Sequence, residues 1–268
     1  MSKVLTFCIC NVNPTPTPPP DGPPCPAECS CLFRKRIVNC ANRGLTEIPE
    51  IPYNTDFIDL SNNSISELRE LPFFTGKHLL KVDLSSNIIR KVPSGTFKNN
   101  KILVDINLSY NLISQVFSDG WAPNLRILNL QNNQLQTVND VEGFNGLNYL
   151  EALLLDNNKL GQLSSGLQNL TGLGTLSLNS NRFVQFPILY KDVQFIETLN
   201  LYNNFIPTLS YTSSVNLNSL STLDVSMNGV VNITSEFLGA FPNLQTLDAS
   251  SNTIQVVPVL SSTSLTYS

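Results

Sequence analysis

Two sets of residues in this sequence have types and spacings from which chemistry is built. Asp59 and Asp83 stand 24 residues apart, as do Asp224 and Asp248, each inside the wording Asp-x-Ser-x-Asn. If each pair occupied one column on neighbouring strands, its carboxylates would lie about 5 Å apart, which is the separation retaining glycosidases use. No nucleophile–base pair, glycine-rich phosphate loop or pocket-forming insertion accompanies them. Calcium would need six to eight oxygens, more than a pair supplies. The aspartates therefore read as strand residues, and the chain as a non-enzyme with no metal and no cofactor.

The second set is Cys25, Cys29, Cys31 and Cys40 in the stretch CPAECSCLFRKRIVNC. Clustered cysteines mean either disulfides or a zinc site. The one histidine, His78, lies outside the cluster and reads as a solvated loop residue. Four cysteines allow three pairings, and number alone does not choose among them.

What must position these residues is a period. Asn63, Asn87, Asn111, Asn133, Asn158, Asn181, Asn204, Asn228 and Asn252 follow one another at steps of 24, 24, 22, 25, 23, 23, 24 and 24 residues. Around each lies an eleven-residue unit, L-x-x-L-x-L-x-x-N-x-L, seen cleanly in LRILNLQNNQL (Leu125 to Leu135) and LEALLLDNNKL (Leu150 to Leu160). Nine units with four apolar positions each make 36 such positions, and only Thr55 and Ala249 depart from a large aliphatic or aromatic residue. The alternating L-x-L marks a short strand with one buried face. The asparagine at position 9 stands where the chain leaves the strand and turns inside the core. A buried turn orphans backbone N–H and C=O groups, which is costly. A carboxamide can satisfy both kinds, here within its own repeat and the next.

This pattern resembles the leucine-rich repeat family over residues 55 to 260, in its extracellular class of about 24 residues per repeat (Slit, small leucine-rich proteoglycans, Toll-like receptors). The resemblance implies an α/β-type solenoid: a right-handed horseshoe with a parallel sheet on the concave face and a mostly irregular convex side. Phe74, Phe97, Phe144 and Phe237, with Trp121, fall where that class runs an aromatic spine through the outer side. The cysteine segment and the following LTEIPEIPYNT resemble the family's N-terminal cap. There the first cysteine pairs with the third and the second with the fourth, which implies Cys25–Cys31 and Cys29–Cys40. Disulfides imply an oxidising compartment, hence an extracellular or cell-surface location.

Composition narrows the function classes. Of 268 residues 13% are charged, the formal net charge is −4, and the sequence pI is near 5.0, so a nucleic-acid surface built from clustered Lys and Arg is excluded. No run of about 20 apolar residues offers a membrane span. Residues 1–13 read as a marginal or truncated leader with spare Cys8 and Cys10, and 14–24 as a proline-rich spacer in polyproline II. Residues 25–54 form the cap, and 261–268 read as the start of a further repeat cut short before its strand. The uncapped apolar end invites self-association.

In a solenoid the side chains that project from the strands do the binding. Position 5 reads Asp59, Asp83, Asn107, Asn129, Leu154, Ser177, Asn200, Asp224, Asp248, so the face is acidic at both ends and near neutral between. Lys81 and Arg126 are the only cations in or beside these columns. Tyr110, Ile127 and Leu154 lie in three consecutive repeats, and a strand spacing of about 4.8 Å groups them into one patch. Asn129, Asp156 and Tyr202 complete the expected partner-binding set. Sequons occur at Asn62, Asn107, Asn169 and Asn232; that at Asn107 would put a glycan on the concave face, and Asn169 and Asn232 are expected outside the strands. The expected function is extracellular recognition or adhesion, binding a protein or glycoconjugate. The alternatives are the ectodomain of an innate-immune receptor and an intracellular scaffold or enzyme inhibitor.

Overall fold

A computed structural model describes residues 23–32, 34, 36–68, 78–137, 143–163, 165–189, 193–211, 217–256 and 266–267. The L-x-L alternation condenses into very short strands: β1 (Ser30–Leu32), β2 (Ile37–Asn39), β3 (Phe57–Asp59), β4 (Lys81–Asp83), β5 (Lys91–Val92), β6 (Asp105–Asn107), β7 (Gln115–Val116) and β8 (Ile127–Asn129). Then follow β9 (Ala152–Leu154), β10 (Thr175–Ser177), β11 (Thr198–Asn200), β12 (Thr208–Leu209), β13 (Thr222–Asp224), β14 (Asn232–Ile233), β15 (Thr246–Asp248) and β16 (Thr266–Tyr267).

Twelve of them form one sheet in the order β1-β2-β3-β4-β6-β8-β9-β10-β11-β13-β15-β16. Only β1 and β2 are antiparallel; every later pair is parallel, because each repeat returns over the far side before the next strand begins. Register is kept residue for residue, so Asp83, Asn107, Asn129 and Leu154 stand side by side. Positions 1, 4, 6 and 11 turn inward, and Leu125, Leu128, Leu130 and Leu135 of one repeat are all fully buried. Thr55, one of the two departures, is buried with its hydroxyl donating to the Pro52 carbonyl at 2.8 Å. A fully buried leucine is worth about 2 kcal/mol over an exposed one, so this repeated quartet is the main source of cohesion between neighbours.

The far side is mostly irregular among the described residues. It holds two two-stranded parallel sheets, β5–β7 and β12–β14, two 3-10 turns at Ser118–Gly120 and Ser165–Leu167, and one short helix, α1 (Ser235–Gly239). Thr234 caps α1 by accepting from the Phe237 N–H at 3.1 Å. The Glu236 carboxyl is held below its ordinary value by its own backbone N–H and then by the Ser235 and Thr234 hydroxyls. Phe97, Trp121 and Phe144 are buried in a row, with ring centroids 6.4 and 6.0 Å apart. Trp121 Nε1 donates to the Gly143 carbonyl at 3.0 Å, which satisfies its polar end. Phe237 instead joins Phe186, Tyr211 and Phe241 in a second aromatic cluster, with Phe186–Phe237 at 5.0 Å and Phe237–Phe241 at 4.9 Å.

The leader, Cys8, Cys10, most of the proline-rich spacer and Phe74 lie outside the described residues. So do residues 257–265, where an exposed apolar end was expected. One expectation is corrected there. Thr266 pairs with Thr246 only 20 residues upstream, a shorter step than the 22 to 25 of the repeats, so a further strand forms where none was expected before the chain's end.

Candidate binding face

The asparagines at position 9 line the turn behind the sheet, buried from Asn87 to Asn228 and half-buried at Asn63 and Asn252. Asn133 shows the arrangement. Its Oδ1 accepts from the Ile113 N–H at 2.9 Å, and its Nδ2 donates to the carbonyls of Leu108 at 2.9 Å, Leu130 at 3.1 Å and Gln131 at 3.2 Å. Ile113 and Leu108 belong to the preceding repeat, so the amide reaches backwards and not, as expected, into the next repeat. The parallel ladder leaves each repeat's position-6 carbonyl and position-11 N–H facing its successor, and the successor's asparagine is the group within reach. At the cap, Asn63 does the same for the N–H groups of Arg43 and Leu45 and the Cys40 carbonyl.

The chain between positions 7 and 9 passes through left-handed backbone in all nine repeats. Asn62, Ser86, Tyr110, Asn132, Asn157, Ser180, Asn203, Met227 and Ser251 have φ between 52° and 55°. Asparagine tolerates this region and supplies four of the nine. Tyr110 and Met227 have no such excuse.

The paired aspartates are turn caps. Asp59 Oδ1 accepts the Ser61 N–H at 3.0 Å, Asp83 that of Ser85 at 2.9 Å, Asp224 that of Ser226 at 2.9 Å and Asp248 that of Ser250 at 2.9 Å. Asn107 and Asn129 cap Ser109 and Gln131 identically, and Asn39 already does so for Ala41 in the cap. In the middle of the face the device changes. Position 5 of the fifth repeat is Leu154, which has no acceptor. Asp156, at position 7, instead takes the Asn179 N–H at 2.8 Å and the Ser177 hydroxyl at 2.6 Å from the next repeat. Asn179 Oδ1 in turn accepts the Tyr202 N–H at 2.9 Å.

This arrangement sorts the expected partner-binding residues. Tyr110 is 61% exposed and Ile127 40%, Tyr202 is exposed, and Leu154 and Asn129 are half-buried. Asp156 is corrected. It is 7% exposed and its carboxylate is occupied by Gln131, Ser177 and Asn179, so it holds the turns in place and does not face a ligand. The single patch is also corrected. Ile127 pairs with Ala152 at the start of the strands and Asn129 with Leu154 at their end, so Ile127 and Leu154 are diagonal neighbours. Tyr110 lies in the turn beyond Asn107, its N–H on the Gln131 carbonyl at 2.9 Å, and so stands past the strand ends on the rim.

Both cations near the face are neutralised. Lys81 meets Asp105 at 2.8 Å and lies 6.0 Å from the Phe57 ring centroid, and Arg126 meets Glu151 at 2.9 Å. Of the sequon asparagines, Asn62, Asn169 and Asn232 are exposed, whereas Asn107 is half-buried, donating to Asp83 at 3.1 Å while capping Ser109. Asn232 lies in β14, not outside the strands, because the far side pairs it with Thr208. His78 is exposed. Cys25 is joined to Cys31 and Cys29 to Cys40, leaving no thiolate in the cluster for zinc. Among the described residues no group of three or more His, Cys, Asp or Glu could hold a metal, and no helix is long and apolar enough to cross a membrane.

The sequence reading missed how far the cap enters the sheet. Ile37–Asn39 pair with β3, Asn42 is left-handed at φ 58°, and Leu45 gives its N–H to the ladder, so this segment is a degenerate repeat. The signal was present in IVNCANRGL, which keeps the repeat wording except for Arg43 in place of the ladder asparagine.

Comparison with known proteins agrees with this geometry. Leucine rich repeat models match residues 77–122 and 124–147, and the leucine rich repeat N-terminal domain matches 24–52. Decorin of Rattus norvegicus is 37% identical over 225 residues, covering 82% of this chain; the chain spans 62% of decorin's length. Adenylate cyclase of Schizosaccharomyces pombe is 32% identical over 139 residues, 51% of this chain but only 8% of that protein. Among solved structures, the TLR13–ssRNA13 complex superposes with a TM-score of 0.61 at 26% identity, over 85% of this chain and 33% of that one. The repeat, its asparagine ladder and its disulfide-bonded cap are therefore those of leucine-rich repeats behind a leucine rich repeat N-terminal domain.

Proposed function

We propose that the chain is an extracellular recognition module that grips a protein ligand on its concave strand face, centred on Ile127, Leu154 and Tyr202, with Asn129 beside them and Tyr110 on the rim. The observation that carries this reading is the exchange of turn caps in the fifth to seventh repeats. Everywhere else on the face position 5 is committed to holding a backbone N–H. Asp156 and Asn179 take over that duty for the sixth and seventh repeats, in place of Ser177 and Asn200, and in the fifth repeat, where this exchange begins, position 5 is a leucine. A half-buried leucine beside a 40%-exposed isoleucine, among the short polar groups Asp105, Asn107, Asn129, Thr175 and Ser177 of the neighbouring strands, is the composition of an interface anchor. Asp156 enters as a positioning residue.

The two cap disulfides support an oxidising, extracellular setting. The likeness to decorin supports the same setting. The likeness to an RNA-bound TLR13 does not bring an RNA ligand with it, because the two cations near the face are already paired with acids. The test is a binding screen of the purified chain against a panel of secreted and cell-surface protein domains, followed by titration of each hit. The Ile127→Asp, Leu154→Asp double variant is expected to weaken a genuine ligand at least tenfold with an unchanged melting temperature. Undiminished binding by a folded double variant would remove this face from the function.

A further inference from the structure

The turn leading into each strand is as regular as the strand itself. The N–H of Leu150 bonds to the Leu147 carbonyl, that of Leu173 to Leu170 and that of Ile196 to Val193. The residues just before, Tyr149, Gly172 and Phe195, therefore occupy equivalent places in three consecutive repeats. The residues just after, Glu151, Gly174 and Glu197, do so too, with the Gly174 N–H on the Glu151 carbonyl at 3.0 Å and the Glu197 N–H on the Gly174 carbonyl at 2.8 Å. Tyr149 is 62% exposed and Phe195 53%, and both glutamates are exposed. The middle repeat carries glycine at both places. It thus leaves a gap in the side-chain columns of the strand-entry edge, with room at Gly174 and close-packed backbone at Gly172. The gap lies between an aromatic residue and a glutamate in the repeat on each side, about 10 Å apart across two repeats.

We propose that this gap seats an arginine side chain from an extended segment of a partner protein. The chain itself shows the electrostatic half of the fit. Arg126 is the residue equivalent to Glu151 one repeat earlier, and it crosses that one-repeat step to reach Glu151 at 2.9 Å. The column then runs Arg126, Glu151, Gly174, Glu197, so its charges read positive, negative, none, negative. Glu197 has no ion-pair partner among the described residues. A cation above Gly174 meets Glu197 on one side and, on the other, Glu151, which it shares with Arg126. A planar guanidinium also stacks on an exposed aromatic ring, and Tyr149 and Phe195 must lean together from about 10 Å to about 7 Å to hold it on both faces. Lysine offers the charge without the plane, and a sugar ring offers the plane without a use for the carboxylates.

The two glycines have different reasons. A Cβ on Gly172 would stand 2.9 Å from the Asn148 carbonyl oxygen, so close backbone packing requires glycine there. A Cβ on Gly174 would meet only the Glu151 carbonyl oxygen at 3.7 Å, an ordinary contact. The fold has room for a Cβ at 174, so glycine there leaves space for a partner's side chain.

The experiment is a titration of the chain with the peptide acetyl-Gly-Ser-Arg-Ser-Gly-amide, followed by the NMR signals of the Tyr149 and Phe195 rings, with citrulline and lysine versions alongside. The arginine peptide is expected to shift both rings saturably, the lysine peptide more weakly and the neutral citrulline peptide not at all. Phe195→Ala and Glu197→Gln, both at exposed positions, are expected to weaken binding at least fivefold. Gly174→Arg, which supplies its own guanidinium, should abolish it, with melting temperature as the check on folding. Leu154→Asp should leave it intact, which separates this site from the concave patch. Citrulline binding as well as arginine, undiminished binding by Gly174→Arg or by Phe195→Ala, or maltotriose shifting the rings where the peptide does not, would each overturn the proposal.

Discussion

Tyr110 and Met227 sit at φ 54° and 52°, in the left-handed region where a side chain with a Cβ crowds its own carbonyl. That costs roughly 1–2 kcal/mol, and asparagine relieves most of it by bonding locally. Four of the seven equivalent positions elsewhere are asparagine and three are serine, so the turn itself asks for a small polar residue. The Tyr110 ring projects into solvent on the rim of the proposed binding face, where strain is tolerated when the side chain serves another purpose. Tyr110→Asn is therefore expected to raise stability by about 1 kcal/mol in urea denaturation, by removing this strain, while weakening the ligand. A loss of stability would show that the ring is packed and not held out for a partner.

At the level of the element, two devices hold the strand ends, and they are unequal. The ladder asparagine satisfies buried groups of two repeats at once. Asn133→Ala orphans the Ile113 N–H inside the core and leaves the Leu108 carbonyl to Asn111 alone. At about 1–3 kcal/mol for the one buried group left unmade, and about 0.5 kcal/mol for each carbonyl that keeps a second donor, the expected loss is about 3 kcal/mol. The position-5 cap serves one N–H nearer to water, so Asn129→Ala should cost about 1 kcal/mol. Equal losses in chemical denaturation would contradict this ranking. The ranking also explains why position 5 could be given up to Leu154 in mid-face, whereas position 9 is asparagine in all nine repeats.

Across the whole molecule, among the described residues, strand pairing and the asparagine ladder run between neighbouring repeats, with Phe186 reaching Phe237 and Phe241 two repeats on. Stability is therefore close to a sum of repeat and interface contributions. The cap ends this array by placing an antiparallel hairpin on the sheet's first edge, stapled by Cys29–Cys40 across a separation of 11 residues. Closing a loop of that length is worth about 3 kcal/mol. In the Cys29→Ser, Cys40→Ser variant, hydrogen exchange should quicken at β2 and β3 while β9 and β10 keep their protection. Uniform loss of protection would mean that the array unfolds as a single unit.

The period, the inward leucines and the ladder could be read directly from the residues, because each depends on spacing along the chain and on one backbone requirement that recurs. The cap's entry into the sheet was legible in IVNCANRGL but was masked by Arg43 standing at the ladder position. Several features could not be read that way. Asp156 looks like a face residue by position, yet only the neighbouring repeat shows its carboxylate buried under Ser177 and Asn179. Ile127 and Leu154 become neighbours, and Tyr110 does not, only once register lays the strands side by side. The aromatic cluster of Phe186, Tyr211, Phe237 and Phe241 gathers residues from irregular returns that share no spacing. What the sequence by itself determined is the repeat, since one chain's hydrogen-bonding needs dictate it; which side chains remain open to a ligand was decided by tertiary structure, since a group is free only after its neighbours in the adjoining repeats have taken what they need.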